Sequence, residues 1–255
     1  MRKSWAGFFG MTISLWLLAH AVALICHEFS HSFIASILGW KRNPLALNWG
    51  SSSPMNLLMQ IDIDENVNYE PIFAQGHPYQ AGIISLAGMG LGNAVISLAS
   101  GLGLFAFAKK SSRIVLGCFA YWLIVMSLGN LISYVPLRVF TWHADMYTVE
   151  KGFGWTPSQL LLLLGIPIAV GVLWFLLRFE PYALSVLFPG SMARRSILVA
   201  ITSLSFFGWF SLSGMSGHGE LSHRISLAFV SVLGPVSILI GLALARKTQV
   251  LPAID

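Results

Sequence analysis

Six apolar segments dominate the chain, at roughly residues 6–39, 80–108, 114–136, 158–178, 195–214 and 226–245. Each is about 20 residues or longer, enough for a helix to cross the hydrocarbon core of a bilayer. Short basic groups mark their ends: Lys41 and Arg42, Lys109 and Lys110, Arg138, Arg178, Arg194 and Arg195, then Arg246 and Lys247. Cations in such positions anchor helices among lipid headgroups. Only 10% of the residues are charged and 56% are hydrophobic, whereas soluble domains carry about 25% charged residues. A helix satisfies its backbone polar groups within one segment, which lipid demands. The expected fold is therefore an all-α polytopic membrane protein with about six transmembrane helices. The net charge of +5 sits in the anchors, so the lipid bilayer is the expected partner and no nucleic acid is.

Met1-Arg2-Lys3 followed by an apolar run resembles a secretory signal. The run continues to Trp40, however, far past a signal's core of about 7–15 residues, so a retained span is expected. The two cysteines, Cys26 and Cys118, fall inside apolar segments and read as reduced core residues. Residues 41–79 form the longest and least helical connection. Leu45 to Trp49, Gly50 to Pro54 and Leu57 to Asp64 read as strand, turn and strand, a small β-hairpin-like insertion after the first helix. An edge strand there could hold an extended peptide; an ordinary surface hairpin is the blander reading. The connection also holds the acids Asp62, Asp64, Glu65 and Glu70.

Within the first apolar segment stand His27-Glu28-Phe29-Ser30-His31, the pattern H-E-x-x-H. Residues four apart on a helix share a face, so both imidazoles can reach one metal ion with the glutamate beside it. Zinc held by two histidines and a third ligand keeps a position open for water, whose proton the glutamate can take. Two buried histidines could instead bond to neighbouring helices. An acid and two imidazoles at membrane depth nevertheless call for compensation, and ionisable residues there are functional by default. The expected cofactor is Zn2+, with His27 and His31 as ligands and Glu28 as the catalytic base.

A third protein ligand must come from elsewhere. Glu150, Glu180 and Glu220 read as loop residues. Asp145 closely follows the third apolar segment, after Asn130-Leu131-Ile132 and Pro136, and Pro136 interrupts helical hydrogen bonding on the way. His143 competes as a ligand from the same stretch. His20 lies seven residues before His27 on about the same face, with a packing role expected. His218, Glu220 and His223 cluster before the last segment, where a solvated loop is the simpler reading. The glycines of the second segment, among them Gly82, Gly88 and Gly92, have spacings that permit close helix packing in lipid.

Three features together resemble the site-2 protease family of intramembrane zinc metalloproteases. They are His27-Glu28-Phe29-Ser30-His31, then Ala87-Gly88-Met89-Gly90-Leu91-Gly92-Asn93, and Asn130-Leu131-Ile132 ahead of Pro136 and Asp145. The second is similar to that family's Gly-Pro-x-x-Asn element, the third to its Asn-x-x-Pro and Asp-Gly elements. The chain departs from these patterns in several places. Gly88 to Asn93 is one residue longer, no proline follows Gly88, Pro136 comes six residues after Asn130, and Met146 stands where glycine is expected. The resemblance covers roughly residues 10–150. It implies a core at residues 1–157, with three helices and the region 41–79, followed by three additional helices at 158–255. It further implies Asp145 as third zinc ligand, Asn93 or Asn130 as hydrogen-bond donor to substrate or oxyanion, and hydrolysis of transmembrane or membrane-associated protein substrates in the cell membrane.

Two alternatives remain open at this point. A second type of membrane zinc peptidase takes its third ligand from Glu-x-x-x-Asp, but Gly154, Leu184 and Arg224 stand four residues after Glu150, Glu180 and Glu220. A non-proteolytic metal-binding membrane protein, an inactive protease relative or a transporter, is the other. Orientation is open as well. With the N-terminus inside, ten Lys and Arg lie on the inner side against five outside. That arrangement puts His27 about 33 Å along the first helix, near the outer face, whereas the resemblance implies a site nearer the cytosol.

Overall fold

A computed structural model describes residues 4–215 and 219–247; Arg2, Lys3 and His218 lie outside the described residues. Among the described residues, six helices are long and apolar enough to cross a membrane. In chain order the helices are α1 (Trp5–Ile37), α2 (Pro54–Met59), α3 (Glu70–Ala74), α4 (Pro78–Lys110), α5 (Ile114–Leu137), α6 (Ala144–Phe153), α7 (Pro157–Leu187), α8 (Met192–Gly214) and α9 (Glu220–Lys247). The short α2, α3 and α6 lie between the spans. The protein is thus an all-α polytopic membrane protein.

The chain divides into two compact units, Met1–Ser127 with His143–Thr156, and Leu128–Trp142 with Pro157–Asp255. Residues 128–142 go with the last three spans. In the second unit, Phe175, Phe206, Leu184 and Val199 form a dry core. An apolar cavity of about 510 Å³ there is lined by residues such as Val135, Val172 and Phe207 and by no titratable side chain. Helical geometry breaks at Val135 (φ −136°, ψ 115°), directly before Pro136, where a proline disfavours helix in the preceding residue and lacks its own N–H.

The first unit carries the chemistry. Ser4 caps α1 by accepting a hydrogen bond from the Gly7 amide at 3.1 Å. Its 33 residues extend about 50 Å, well beyond a hydrocarbon core of about 30 Å. Thr12, Ala19, Ala23, His27, His31 and Ala35 are buried at helical spacing, a stripe of small and polar residues along one face. Glycines let the partner helices press close. A Cβ on Gly152 of α6 would lie 2.6 Å from the Gly82 Cα of α4, so these two backbones meet directly.

The expected strand pair is corrected. The described residues contain no strand, only an isolated bridge in which Asn48 and Asp64 exchange backbone hydrogen bonds at 3.0 Å. The return strand fails to form because Ser53-Pro54 starts a helix. Ser53 Oγ accepts from the Asn56 amide at 3.1 Å, and Pro54 occupies the first turn, where its missing N–H costs nothing. Buried Asn56 then ties the turn together: its Nδ2 donates to Trp49 O and Ser51 O, and its Oδ1 accepts from the Asp62 amide. The connection folds back along α1. Nε2–H of His20 donates to the Met59 carbonyl at 3.0 Å, and His20 lies about 25 Å down the helix axis from Ile37. His20 therefore holds α2 against α1, in line with its expected packing role.

Gly152→Ala is expected to lower stability by about 1–3 kcal/mol, because backbone rather than a flexible side chain blocks the added methyl. Gly103→Ala, whose Cβ meets nothing within 4 Å, is expected to be neutral or mildly stabilising. Thermal unfolding in detergent of the two variants beside the parent checks the contrast.

Candidate metal centre

His27 and His31 project from one face of α1 because they are one helical turn apart, and both are buried. Their Nε2 atoms are 3.0 Å apart. Asp145 arrives from α6 with its Oδ2 at 3.3 Å from His27 Nε2 and 3.4 Å from His31 Nε2. These three form the one group of potential metal ligands found among the described residues. Zinc ligands 2.0–2.1 Å from the ion stand about 3.3 Å from one another in a tetrahedron, and the triangle has those dimensions.

The other ring nitrogens fix the imidazoles. His31 Nδ1 donates to the Ile84 carbonyl at 2.6 Å, which requires a proton on Nδ1 and leaves Nε2 with its lone pair turned to the triangle. His27 Nδ1 lies 2.9 Å from the side-chain amide of Asn93, which is fully buried. The nearer amide atom is Nδ2, which donates to an unprotonated Nδ1; with metal on Nε2, Nδ1 would carry the proton and the amide would turn by half a rotation to present its oxygen. The structure thus places the Asn93 amide on His27, and its expected role toward substrate or oxyanion rests on sequence alone. Asn130 is half-buried in the second unit, and its expected role rests on sequence alone. His143 is exposed just before α6 and is not part of the ligand group.

Asp145 reaches the triangle through local geometry. Ala144 adopts a left-handed backbone (φ +68°) and turns the chain into α6, placing Asp145 in the first turn; the left-handed Gly154 ends that helix. Such a conformation at alanine costs about 1–2 kcal/mol. Ser85 of α4 donates to the Asp145 carbonyl at 2.9 Å and is 3.4 Å from its Oδ1. Burial alone raises the Asp145 carboxyl, but a proton on the His31 or His27 imidazole outweighs burial and holds it well below the usual carboxylate range. The ionised form, the one that binds a cation, is favoured.

Gly88 of α4 completes the cradle. A Cβ there would stand 2.2 Å from His31 Nε2 and 2.5 Å from His27 Nε2, close to the distance at which zinc sits from a histidine. Gly92, one turn on, lets α4 touch the α1 backbone, since its Cβ would lie 2.7 Å from the Cys26 carbonyl oxygen. Residues Gly88–Ser97 follow the wider π-helical path. That path widens each turn beyond the α-helical one, and Gly88 and Asn93 both face α1. Glu28 is buried beside His27, within electrostatic reach of His31, Asp145, Glu65 and Asp64.

The donor set fits a divalent metal. Two imidazole lone pairs and a carboxylate converge, and only a cation among them removes their mutual repulsion; a proton satisfies one pair, zinc all three. Comparisons of the chain with protein-family models, curated proteins and solved structures find no match.

Zinc content of the detergent-purified protein should fall from about one per chain to near zero in His27→Ala and Asp145→Ala and stay unchanged in His143→Ala. Gly88→Ala is expected to lose zinc, because its methyl would occupy the space beside both Nε2 atoms. Gly92→Ala meets backbone and should instead destabilise the fold. Metal analysis together with thermal unfolding separates the two outcomes.

Proposed function

We propose that this chain is an intramembrane zinc metalloprotease, cutting transmembrane or membrane-associated proteins within or near the bilayer, with the cell membrane as its location. The observation that carries this reading is the convergence of His27, His31 and Asp145 beside a buried Glu28. Zinc bound by these three residues supplies Lewis acidity, activating water and polarising the scissile carbonyl.

The chain's own residues do the rest. The Ile84 carbonyl and the Asn93 amide hold His31 and His27 in one tautomer and orientation, so that neither ring reorganises during the reaction. Asp145 contributes a negative charge that keeps the group's affinity for a cation high. Glu28 takes a proton from the attacking water and passes it to the leaving amine, the two halves of general acid–base catalysis. Burial strengthens each of these electrostatic effects. A transmembrane helix hides its own carbonyls in hydrogen bonds, so the substrate must unwind locally before its backbone reaches the site. Asp64 and Glu65 of the folded-back connection lie within electrostatic reach of Glu28.

Glu28→Gln is expected to keep its zinc and lose peptide hydrolysis by about 10²–10⁴-fold, the usual contribution of a general base. Cleavage of single-span model substrates in proteoliposomes, beside metal analysis, reads both quantities. Undiminished cleavage by Glu28→Gln would falsify its assigned role. A wild type that binds zinc and cleaves none of a broad substrate panel would favour the non-proteolytic alternative.

A further inference from the structure

The second unit leaves a groove between α7 and α9 that its own side chains do not fill. α7 lines one wall from Leu161 to Leu177, about 24 Å along the helix axis, and α9 lines the other from Phe229 to Gly241. Ile166, Leu173, Val236 and Ile240 line the groove and are exposed, so it opens sideways, where apolar spans meet lipid. Its volume of about 510 Å³ suits a small or single-chain ligand. A partner helix about 10 Å across takes about 1,900 Å³ over the same length and is too bulky.

One end of this groove is basic. There Phe175–Leu187 of α7 packs on Gly234–Lys247 of α9, and Met192–Leu204 of α8 packs on the same part of α9. Arg178 directly follows the lining Leu177, and Lys247 comes two turns after the lining Ile240 on the same face of α9. A Cβ on the lining Gly241 would stand 2.6 Å from Val199 Cγ1, which puts Arg195 one turn beyond that level. With Arg194 and Arg246, five cations lie within about two helical turns of this end. Glu180, whose Oε2 would be 3.6 Å from the same Cβ, is the one acid there among the described residues. It is buried, whereas Arg178, Arg246 and Lys247 are exposed. Arg195 is buried and clamps the α7–α8 turn, its Nε and Nη2 donating to the Phe188 and Pro189 carbonyls at 2.9 and 3.0 Å, while its Nη1 has no partner. The opposite end carries Arg138 and an ion pair between Arg224 and Glu220.

We propose that this groove is a binding site for one anionic phospholipid, with an acyl chain between α7 and α9 and the headgroup phosphate among Arg178, Arg246 and Lys247. A chain in the groove touches residues of α5, α7, α8 and α9 at once, such as Val135, Val172, Phe207 and Val236, where a lipid elsewhere on the surface lies against a single helix face. The apolar walls hold any acyl chain. The cations select the headgroup, because each basic residue near the membrane surface favours an anionic lipid over a zwitterionic one. The site belongs to the second unit alone and does not rest on the metal group or on the proposed activity.

The test is native mass spectrometry of the delipidated full-length protein, titrated with dioleoyl phosphatidylglycerol or dioleoyl phosphatidylcholine. The parent should take up one phosphatidylglycerol about tenfold or more tightly than the choline lipid, which has the same chains. Arg178→Gln with Lys247→Gln should lose that preference. Lys109→Gln with Lys110→Gln, which removes two cations from the first unit, should keep it. Ala169→Phe puts a ring into the groove and should abolish the single tight site, whereas Val170→Phe, at an exposed neighbour that does not line the groove, should bind like the parent. Salt should weaken the glycerol lipid's binding and leave the choline lipid's unchanged. Equal affinity of the parent for the two lipids overturns the inference, as does a parent-like preference in Arg178→Gln with Lys247→Gln. A tight lipid retained in Ala169→Phe overturns it too, and the charge pair decides alone if that variant does not fold. A second protein chain retained in place of the lipid also overturns it.

Discussion

Two helices of a membrane protein can share a metal group only if their backbones approach within reach of one imidazole. Here the approach of α4 to α1 depends on the absence of two Cβ atoms. Gly92 lets the Cys26 and His27 backbone come within about a van der Waals diameter, and Gly88 leaves the space beside both Nε2 atoms open. Everything else at the site follows from that contact. The Ile84 carbonyl can reach His31, the Asn93 amide can reach His27, and Ser85 is carried to where it can hold Asp145. In lipid there is little hydrophobic drive to bring helices together, so packing of small residues and interhelical hydrogen bonds must do it. The same residues thus serve assembly and chemistry.

A second glycine contact brings up Asp145, the third member of the group. Gly82 and Gly152 meet backbone to backbone and set α6 along α4. The left-handed Ala144 then turns Asp145 into the interior. The cost of that conformation is offset by the hydrogen bond from Ser85 and by attraction between the carboxylate and the imidazoles. The connection between α1 and α4 adds a further layer of support. Folded back along α1, it brings His20, Asn56, Glu65 and Tyr69 into hydrogen bonds that satisfy irregular backbone next to apolar helices.

Several elements were legible in the residues themselves. The six spans follow from apolar runs bounded by cations. The pairing of His27 with His31 follows from helical periodicity, since neighbours four apart share a face whatever surrounds them. The connection was misread as a hairpin because alternation in Gln60-Ile61-Asp62-Ile63-Asp64 looked like a strand. The stronger local signal was Ser53-Pro54, a cap followed by a proline at the first helical position. Asn93 was visible as a polar residue in an apolar span, but its partner was not. The π-helical register that turns it toward His27 is set by how α4 packs, which spacing alone does not give. Ser85 carried no signal of its own, being a common residue in unremarkable surroundings.

By itself the sequence determined the solvent of this protein, the number of its spans and the helical face that bears two imidazoles and a carboxylic acid. All of these are local properties, written in composition over about 20 residues or in the geometry of one helical turn. Only the tertiary structure brings Asp145, rather than His143, to the two imidazoles. These two differ by two positions in the chain, and the choice depends on a contact 118 residues from His27. It also decided that Asn93 faces His27 and that Ser85 faces Asp145. Such contacts form because backbones approach at Gly82, Gly88, Gly92 and Gly152. A glycine in a sequence says that an approach is permitted; which helix comes to it is settled by the packing of the whole unit.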